Sequence, residues 1–275
     1  MIERGDLWRV ATLNIWNRSG PWAKRLPLIR DGLRALDADA IALHEVLALG
    51  GRNQADEIVA GWGWHVYHAP AWDIGGGLTF GNAIISPHRL LDTECIELPT
   101  PRGIETRSAV FARVDAPHGP LPLFATHLTF QLHMCTTRLE QVSALVDHVA
   151  RLAPIGGPPP VLAGDFNATP DSDEMRFLRG LTPLRGRSVY FADCWLATDQ
   201  RDPGYTFDRR NAFTARSHEP SKRIDYLYVR GPDARMRGEP VAARLALDQC
   251  IDDVWPSDHF AVVADIHAAP RGHDV

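Results

Sequence analysis

The sequence predicts one α/β domain in which two mixed β-sheets pack face to face under outer helices. Strand-like runs occur both in quick succession and alternating with helical segments, which favours mixed sheets over a purely parallel one. No internal repeat or linker divides the chain, and its 275 residues are enough to bury one large core. With 45% hydrophobic and 23% charged residues, the composition is that of an ordinary globular protein.

In chain order, Trp8 to Ile15 alternates as a strand and delivers Asn14 to its end. Leu26, Ile29, Leu33 and Leu36 recur at helical spacing, with a start at Pro27, the helical position that tolerates proline best. Ala40 to Val46 reads as a buried strand that ends near Glu45, Ala55 to Val59 as a short helix, and Trp64 to His68 as a strand. Pro70 to Gly77, with three consecutive glycines, reads as a connecting loop. Strands then follow at Asn82–Ser86, Leu90–Leu98, Arg107–Val114 and Leu121–His127, with a turn at Pro117 to Pro120. Leu139, Val142, Val146 and Val149 trace the apolar stripe of a helix over Thr136 to Leu152, stopped by Gly156 to Pro160. Val161 to Ala163 is a short buried strand, and Asp171 is the expected N-cap of a helix through Met175 and Leu178. Asp199 to Lys222 has little periodicity, as expected of a functional loop. Ile224–Val229, Val241–Leu247 and Phe260–Ile266 complete the strands, and residues 268–275 are expected to fray.

The formal net charge of −5 argues against a protein that coats duplex nucleic acid non-specifically. A nucleic-acid enzyme is still allowed, because carboxylates that bind cations lower the charge by themselves. Cys95, Cys135, Cys194 and Cys250 lack metal or redox spacing and are expected to be reduced and structural. No apolar run approaches a membrane span and the start lacks the apolar segment of a secretory signal, so a cytoplasmic protein without a membrane anchor is expected. Nothing points to a protein partner.

Polar residues stand at the ends of these strands. In Gly164-Asp165-Phe166-Asn167 a carboxylate and a carboxamide two residues apart emerge on one face of a strand end. Asp225 lies inside the apolar run Ile224 to Val229, where a buried carboxylate needs a partner. His259, beside Asp258, supplies one, since an imidazole donates one nitrogen to a carboxylate while the other faces a substrate. Asn14, Glu45 and His127 complete the set. Each has a bland reading, as turn residue, surface ion pair or satisfied buried histidine, but their convergence on strand ends is hard to explain that way.

Thr12-Leu13-Asn14, Leu43-His44-Glu45-Val46, Thr126-His127-Leu128, Gly164-Asp165-Phe166-Asn167, Arg223-Ile224-Asp225-Tyr226 and Ser257-Asp258-His259 resemble the motifs of the endonuclease/exonuclease/phosphatase superfamily, also called deoxyribonuclease-I-like, in the same order. The resemblance implies a four-layer α/β sandwich and metal-dependent hydrolysis of phosphate esters. It implies that Glu45 holds magnesium, or manganese as the alternative ion, with Asn14 and Asp258 nearby; hard oxygen ligands suit such ions. Asp165 would orient or deprotonate the attacking water, and Asn167 would position the phosphate or the nucleophile. His259, braced by Asp225, would stabilise or protonate the charged phosphoryl group, and His127 would bond a non-bridging oxygen.

His44 stands where the superfamily commonly has glutamine, and strand alternation is expected to turn it away from the ion. His127 in its Thr-His-Leu setting is similar to the sphingomyelinase-like, deadenylase-like and tyrosyl-DNA phosphodiesterase branches rather than to abasic-site endonucleases. Gly204-Tyr205-Thr206-Phe207-Asp208 is similar to an aromatic-Asp motif that sets a ring beside the scissile group, which makes Phe207 a substrate-binding candidate. Trp72 beside the glycine run is another. Arg107, which opens a strand after a loop, is a candidate for phosphate contact, set against a surface salt bridge. The expected activity is a phosphodiesterase acting on a DNA or RNA strand or a nucleotide-like diester. The alternatives are a hydrolase of lipid-linked or small phosphates, for which an apolar loop or a secretory signal is expected, and a silent binding module of the same fold.

Overall fold

The computed structural model describes residues 4–198 and 201–270. Residues 271–275 of the expected frayed tail and the first two residues of the long loop lie outside the described residues. Ala268, assigned to that tail, is buried and donates its N–H to the Asp6 carbonyl at 2.9 Å.

In chain order the elements are β1 (Leu7–Asn14), α1 (Trp22–Ala35), β2 (Ala40–Leu49), β3 (Arg52–Asn53), α2 (Gln54–Val59), β4 (His65–Gly75) and β5 (Leu78–Ser86). There follow β6 (Leu90–Leu98), β7 (Arg107–Val114), β8 (Leu121–His127), α3 (Cys135–Leu152), β9 (Val161–Asp165) and α4 (Asp173–Leu178). The remainder is β10 (Ala192–Asp193), α5 (Cys194–Ala197), β11 (Asp225–Val229), β12 (Pro240–Ala246) and β13 (Ala261–His267). One sheet runs β12-β13-β1-β2-β5-β4, with β3 paired to β2 off this path, and the other runs β10-β11-β9-β8-β7-β6. Each sheet contains one parallel pair, β1 with β2 and β8 with β9, and α1 and α3 make the crossovers that parallel pairing requires.

Strand alternation sorts the side chains into three apolar layers. On β2, Ala40 and Ala42 face the seam between the sheets, while Ile41 and Leu43 face α1 and α2. On β8 and β9, Leu123, Ala125, Val161 and Ala163 face the seam, while Phe124 and Leu162 pack under α3 and α4. The result is the expected four layers, helix on sheet on sheet on helix. No described helix is long and apolar enough to cross a membrane.

Three elements depart from the sequence reading. Helix α1 begins at Trp22, and Pro27 sits inside it. The additional turn is held because buried Arg25 donates to the Ile15 carbonyl at 3.0 and 2.6 Å, and a proline this near the N-terminus removes only one helix bond. The Pro70–Gly77 segment is a β-hairpin, not a loop: β4 runs to Gly75 and β5 starts at Leu78. Gly76 and Gly77 adopt φ of 64° and 80°, the positive values a two-residue hairpin turn requires, and Pro70 is accommodated on an edge strand at a bulge. Ser172, not Asp171, is the N-cap of α4.

Candidate active site

The parity that puts Leu123 and Ala125 into the seam carries His127 to the same face, and Val161 and Ala163 do likewise for Asp165. Val10 and Ala42 fix the face of Asn14 and His44, and Leu227 and Val229 that of Asp225. Register then aligns them, pairing Asn14 with His44, His127 with Asp165, and Asp165 with Asp225. At this end the seam changes from alanine and leucine to amide, imidazole and carboxylate. Gly164 is needed because a Cβ there would lie 2.3 Å from the Thr126 carbonyl oxygen, so close is β8.

Glu45 breaks the alternation. Its parity with Ile41 and Leu43 points it at the helices, but a register shift between Leu43 and Val46, with Glu45 at φ 60°, turns it toward the seam and passes Val46 to the helix side. A β-bulge therefore delivers this carboxylate. His44 stays on the seam face, bonded to Thr12 Oγ1 at 2.8 Å and Asn82 Oδ1 at 3.0 Å, away from Glu45.

Asn14 Nδ2 donates to Glu45 Oε1 at 3.1 Å and to Asp165 Oδ2 at 3.0 Å, while its oxygen accepts the Trp16 N–H. Asn17, which no motif indicated, donates to Glu45 Oε2 at 2.9 Å. Asp165 Oδ1 accepts the Asn167 N–H at 3.0 Å, with Asn167 at φ 49° and its Nδ2 on the Leu128 carbonyl. Asp165 Oδ2 also lies 3.5 Å from His127 Nε2 and 3.8 Å from His259 Nε2. His259 Nδ1 bonds Asp225 Oδ2 at 2.8 Å, as expected of a braced imidazole.

The long loop around residues 204–222 supports this pair. Thr206 Oγ1 accepts the N–H groups of Ile224 and Asp225, and the Thr206 carbonyl accepts that of Phe260. Phe207 lies 5.1 Å from the His259 ring.

Burial and the Asp225 carboxylate raise the pKa of Asp165, against the pull of His259. Burial opposes the charge on His259, but Asp225, Asp258 and Asp165 outweigh it and hold the imidazole protonated well above its ordinary value. Burial, with Arg107 and the other two histidines, keeps His127 well below. Burial drives His44 down to about 4. Asp258 is pushed up to about 7 by burial and by Glu45, against His259 and Arg25.

Of the predicted residues, Glu45, Trp72, Arg107, His127, Asp165 and Asn167 line one cleft of about 520 Å³, as do Phe207, Asp258 and His259. Asn14 and Asp225 stand behind them as bonding partners. Arg107 is not at a surface salt bridge. It is 3% exposed, its Nη1 lies 3.2 Å from Glu105, and its guanidinium lies 5.8 Å from the rings of both Phe80 and Phe130. Arg138 and Gln141 of α3 brace the region behind the cleft: Arg138 joins buried Glu174 at 2.6 Å, and Gln141 ties Thr129 to the Pro99 carbonyl.

Two carboxylates, Glu45 and Asp258, face the cleft without a cationic hydrogen-bond partner among the described residues, and burial with the neighbouring Glu45 raises the pKa of Asp258. Oxygen donors of that kind fit a hard divalent cation. Asp165, Asp225 and His259 also bring ligand atoms within 4.8 Å of one another, but the bond from His259 to Asp225 already occupies that trio.

The family model described as Endonuclease/Exonuclease/phosphatase family matches residues 11–259. The chain belongs to that family. Members of the endonuclease/exonuclease/phosphatase family are hydrolases of phosphoester bonds. None of the curated proteins is similar enough in sequence to match. Among solved structures, an endonuclease/exonuclease/phosphatase from Beutenbergia cavernae is 24% identical, covering 96% of this chain and 72% of its own, with a TM-score of 0.74. The human Nocturnin catalytic domain with bound sulfate is 19% identical, with 97% and 95% coverage and a TM-score of 0.72. TDP2 of D. rerio complexed with a single-strand DNA product is 19% identical, with 94% and 98% coverage and a TM-score of 0.74. At these identities the neighbours establish the family's fold.

Proposed function

We propose that the protein is a divalent-metal-dependent phosphodiesterase that cleaves a P–O bond by in-line attack of water, on a nucleic-acid strand or a nucleotide-like diester. The observation that carries this reading is Asp165 Oδ2, held by Asn14 at 3.0 Å and faced by His127 at 3.5 Å and His259 at 3.8 Å on the floor of the cleft. A carboxylate flanked by two imidazoles suits a reaction that activates water while negative charge grows on phosphate. The family match and the DNA-bound TDP2 neighbour support the choice of substrate.

Glu45 and Asp258 would hold the cation, and Asn14 and Asn17 would keep the Glu45 oxygens in place. When bound, the cation supplies Lewis-acid neutralisation of phosphate charge. Asp165 orients the attacking water and accepts its proton. Its elevated pKa makes it a better base than an ordinary carboxylate. Protonated His259, aimed by Asp225, hydrogen-bonds the phosphoryl oxygens and donates to the departing oxygen. Neutral His127 has no partner on Nδ1 among the described residues, so its proton sits on Nε2, which faces Asp165 Oδ2 at 3.5 Å and would donate to a non-bridging oxygen when substrate is present. Asn167, fixed by Leu128, presents its amide to the same group.

The test is hydrolysis of bis(p-nitrophenyl) phosphate and of single- and double-stranded DNA and RNA with magnesium or manganese, with and without chelator. Cleavage that stops on chelation is expected. Full activity in chelator removes the metal-dependent reading, and turnover of lipid or inositol phosphates alone removes the nucleic-acid one.

A further inference from the structure

The lining of the cleft is mixed in chemistry. Lys222, paired with Glu219 and 5.4 Å from the Phe207 ring, lines it beside the long loop. The β4–β5 hairpin and the segment after β8 contribute the rings of Trp72, which pairs with Phe80 across the hairpin, and of Phe80 and Phe130, which both approach Arg107. Leu47, Ile74, Leu78 and Leu132 add to the apolar lining. Ile74, Phe130 and Leu132 are 50%, 51% and 68% exposed, so three of the protein's exposed large apolar side chains gather at one mouth.

The back of this alcove is polar. Arg107 is buried against Phe80 and Phe130, and its Nε has no hydrogen-bond partner among the described residues. Glu105, paired with it at 3.2 Å, adds an acceptor. Buried donors without partners are costly and mark a place where a ligand acceptor belongs.

A hydrocarbon chain would suit the walls and leave the Arg107–Glu105 pair unmet. A hydrated sugar would suit the pair and leave the walls wet. A flat heteroaromatic ring has apolar faces and an edge that both accepts and donates. The Phe80 ring lies 5.9 Å from that of His127, so the alcove opens directly beside the catalytic floor. We propose that the alcove is a base-recognition subsite. It takes an unpaired nucleobase of the nucleotide joined to the scissile phosphate, with its faces on the aromatic rings and its edge toward Arg107 and Glu105. The position of that phosphate rests on the phosphodiesterase reading above. A paired base cannot present its faces in this way, so the subsite selects mononucleotide diesters and single strands over duplex.

The test uses p-nitrophenyl phosphodiesters that share a leaving group and differ in the second substituent: methyl, hexyl, phenyl, deoxyribose 5-phosphate, and the thymidine and guanosine 5′-esters. The nucleoside esters are expected to exceed the methyl and abasic esters by about tenfold or more in kcat/KM, the range of one stacked base. That ratio, measured within each protein so that partial misfolding cancels, is expected to fall toward one in Phe130→Ser and Arg107→Gln. A hexyl or phenyl ester that equals the nucleoside esters overturns the proposal, as does an abasic ester that equals them. If no ester is hydrolysed with either metal, the phosphodiesterase reading falls instead. Calorimetric binding then decides the subsite: tighter binding of thymidine or guanosine 5′-monophosphate than of deoxyribose 5-phosphate, lost in Phe130→Ser, supports it, and equal binding overturns it.

Discussion

Asp165 is the residue on which both sheets converge, and its surroundings make it costly. It is 1% exposed, its strand neighbour across the register is another carboxylate, and the hydrogen bonds from Asn14 and the Asn167 N–H, with the charge of His259 at 3.8 Å, offset its burial only in part. Asp165→Asn is therefore expected to lower kcat by about 10²–10⁴-fold, the range for loss of a general base. Its melting temperature should equal or exceed that of the wild type, because a buried charge facing Asp225 is gone. Rate and melting curve on one preparation check both halves, and near-full turnover would take Asp165 out of the base role. Much of this was legible residue by residue: the carboxylates and histidines announced themselves as polar interruptions of apolar strands. Asn17, Glu105, Phe80 and Phe130 were not, because nothing in their local sequence separates a cleft-lining side chain from a loop or core one. Asn17 is placed by the bulged Glu45 and Phe80 by the hairpin, while Glu105 and Phe130 are placed through Arg107, contacts that only the pairing of strands reveals.

At the level of elements, the closeness of β8 to β9 explains why a glycine precedes Asp165. Gly164→Ala would drive a methyl group against the Thr126 carbonyl, with the Thr126 and Phe166 side chains also within 3.2 Å. Destabilisation of about 1–3 kcal/mol is expected, measured by urea unfolding, with activity lost in proportion to the displacement of Asp165. Helix α3 carries a second testable group. His148 packs edge-on against Phe124 and accepts from Arg151 at 3.0 Å on Nδ1, and burial, reinforced by Arg151 and opposed by Glu94, lowers its pKa. As pH falls below about 6.5 the unfolded chain takes up a proton that the folded one refuses, so stability drops toward acid. In His148→Gln the loss of urea midpoint between about pH 7.5 and pH 5 should be smaller than in wild type. An unchanged slope would show that other groups dominate it. The helices and most strands were readable from periodicity, whereas the hairpin at Gly75–Gly77 was not, because a glycine run fits a loop as well as a tight turn until a partner strand is known.

For the molecule as a whole, four carboxylates, Glu45, Asp165, Asp225 and Asp258, crowd one end of the seam, and burial, reinforced by their mutual repulsion, raises the pKa values of Asp165 and Asp258. Millimolar magnesium is expected to raise the melting temperature by mass action on the folded state, and chelator to reverse the rise. Glu45→Gln should abolish both the magnesium response and turnover while melting no lower than the metal-free wild type. A variant that still responds to magnesium as wild type does would place the cation elsewhere. The two-sheet architecture was legible from the order of strands and helices, but which strands neighbour which was not, since β13 pairs with β1 across nearly the whole chain.

That last pairing bears on biosynthesis. The second sheet is drawn entirely from residues 90–229, whereas the first is stitched from both ends of the chain, with β13 wedged between β12 and β1. On a ribosome the second sheet can form while the first still lacks a central strand. His259 lies just before that strand, so its place beside Asp225 and Asp165 is set only once β13 has docked between β12 and β1.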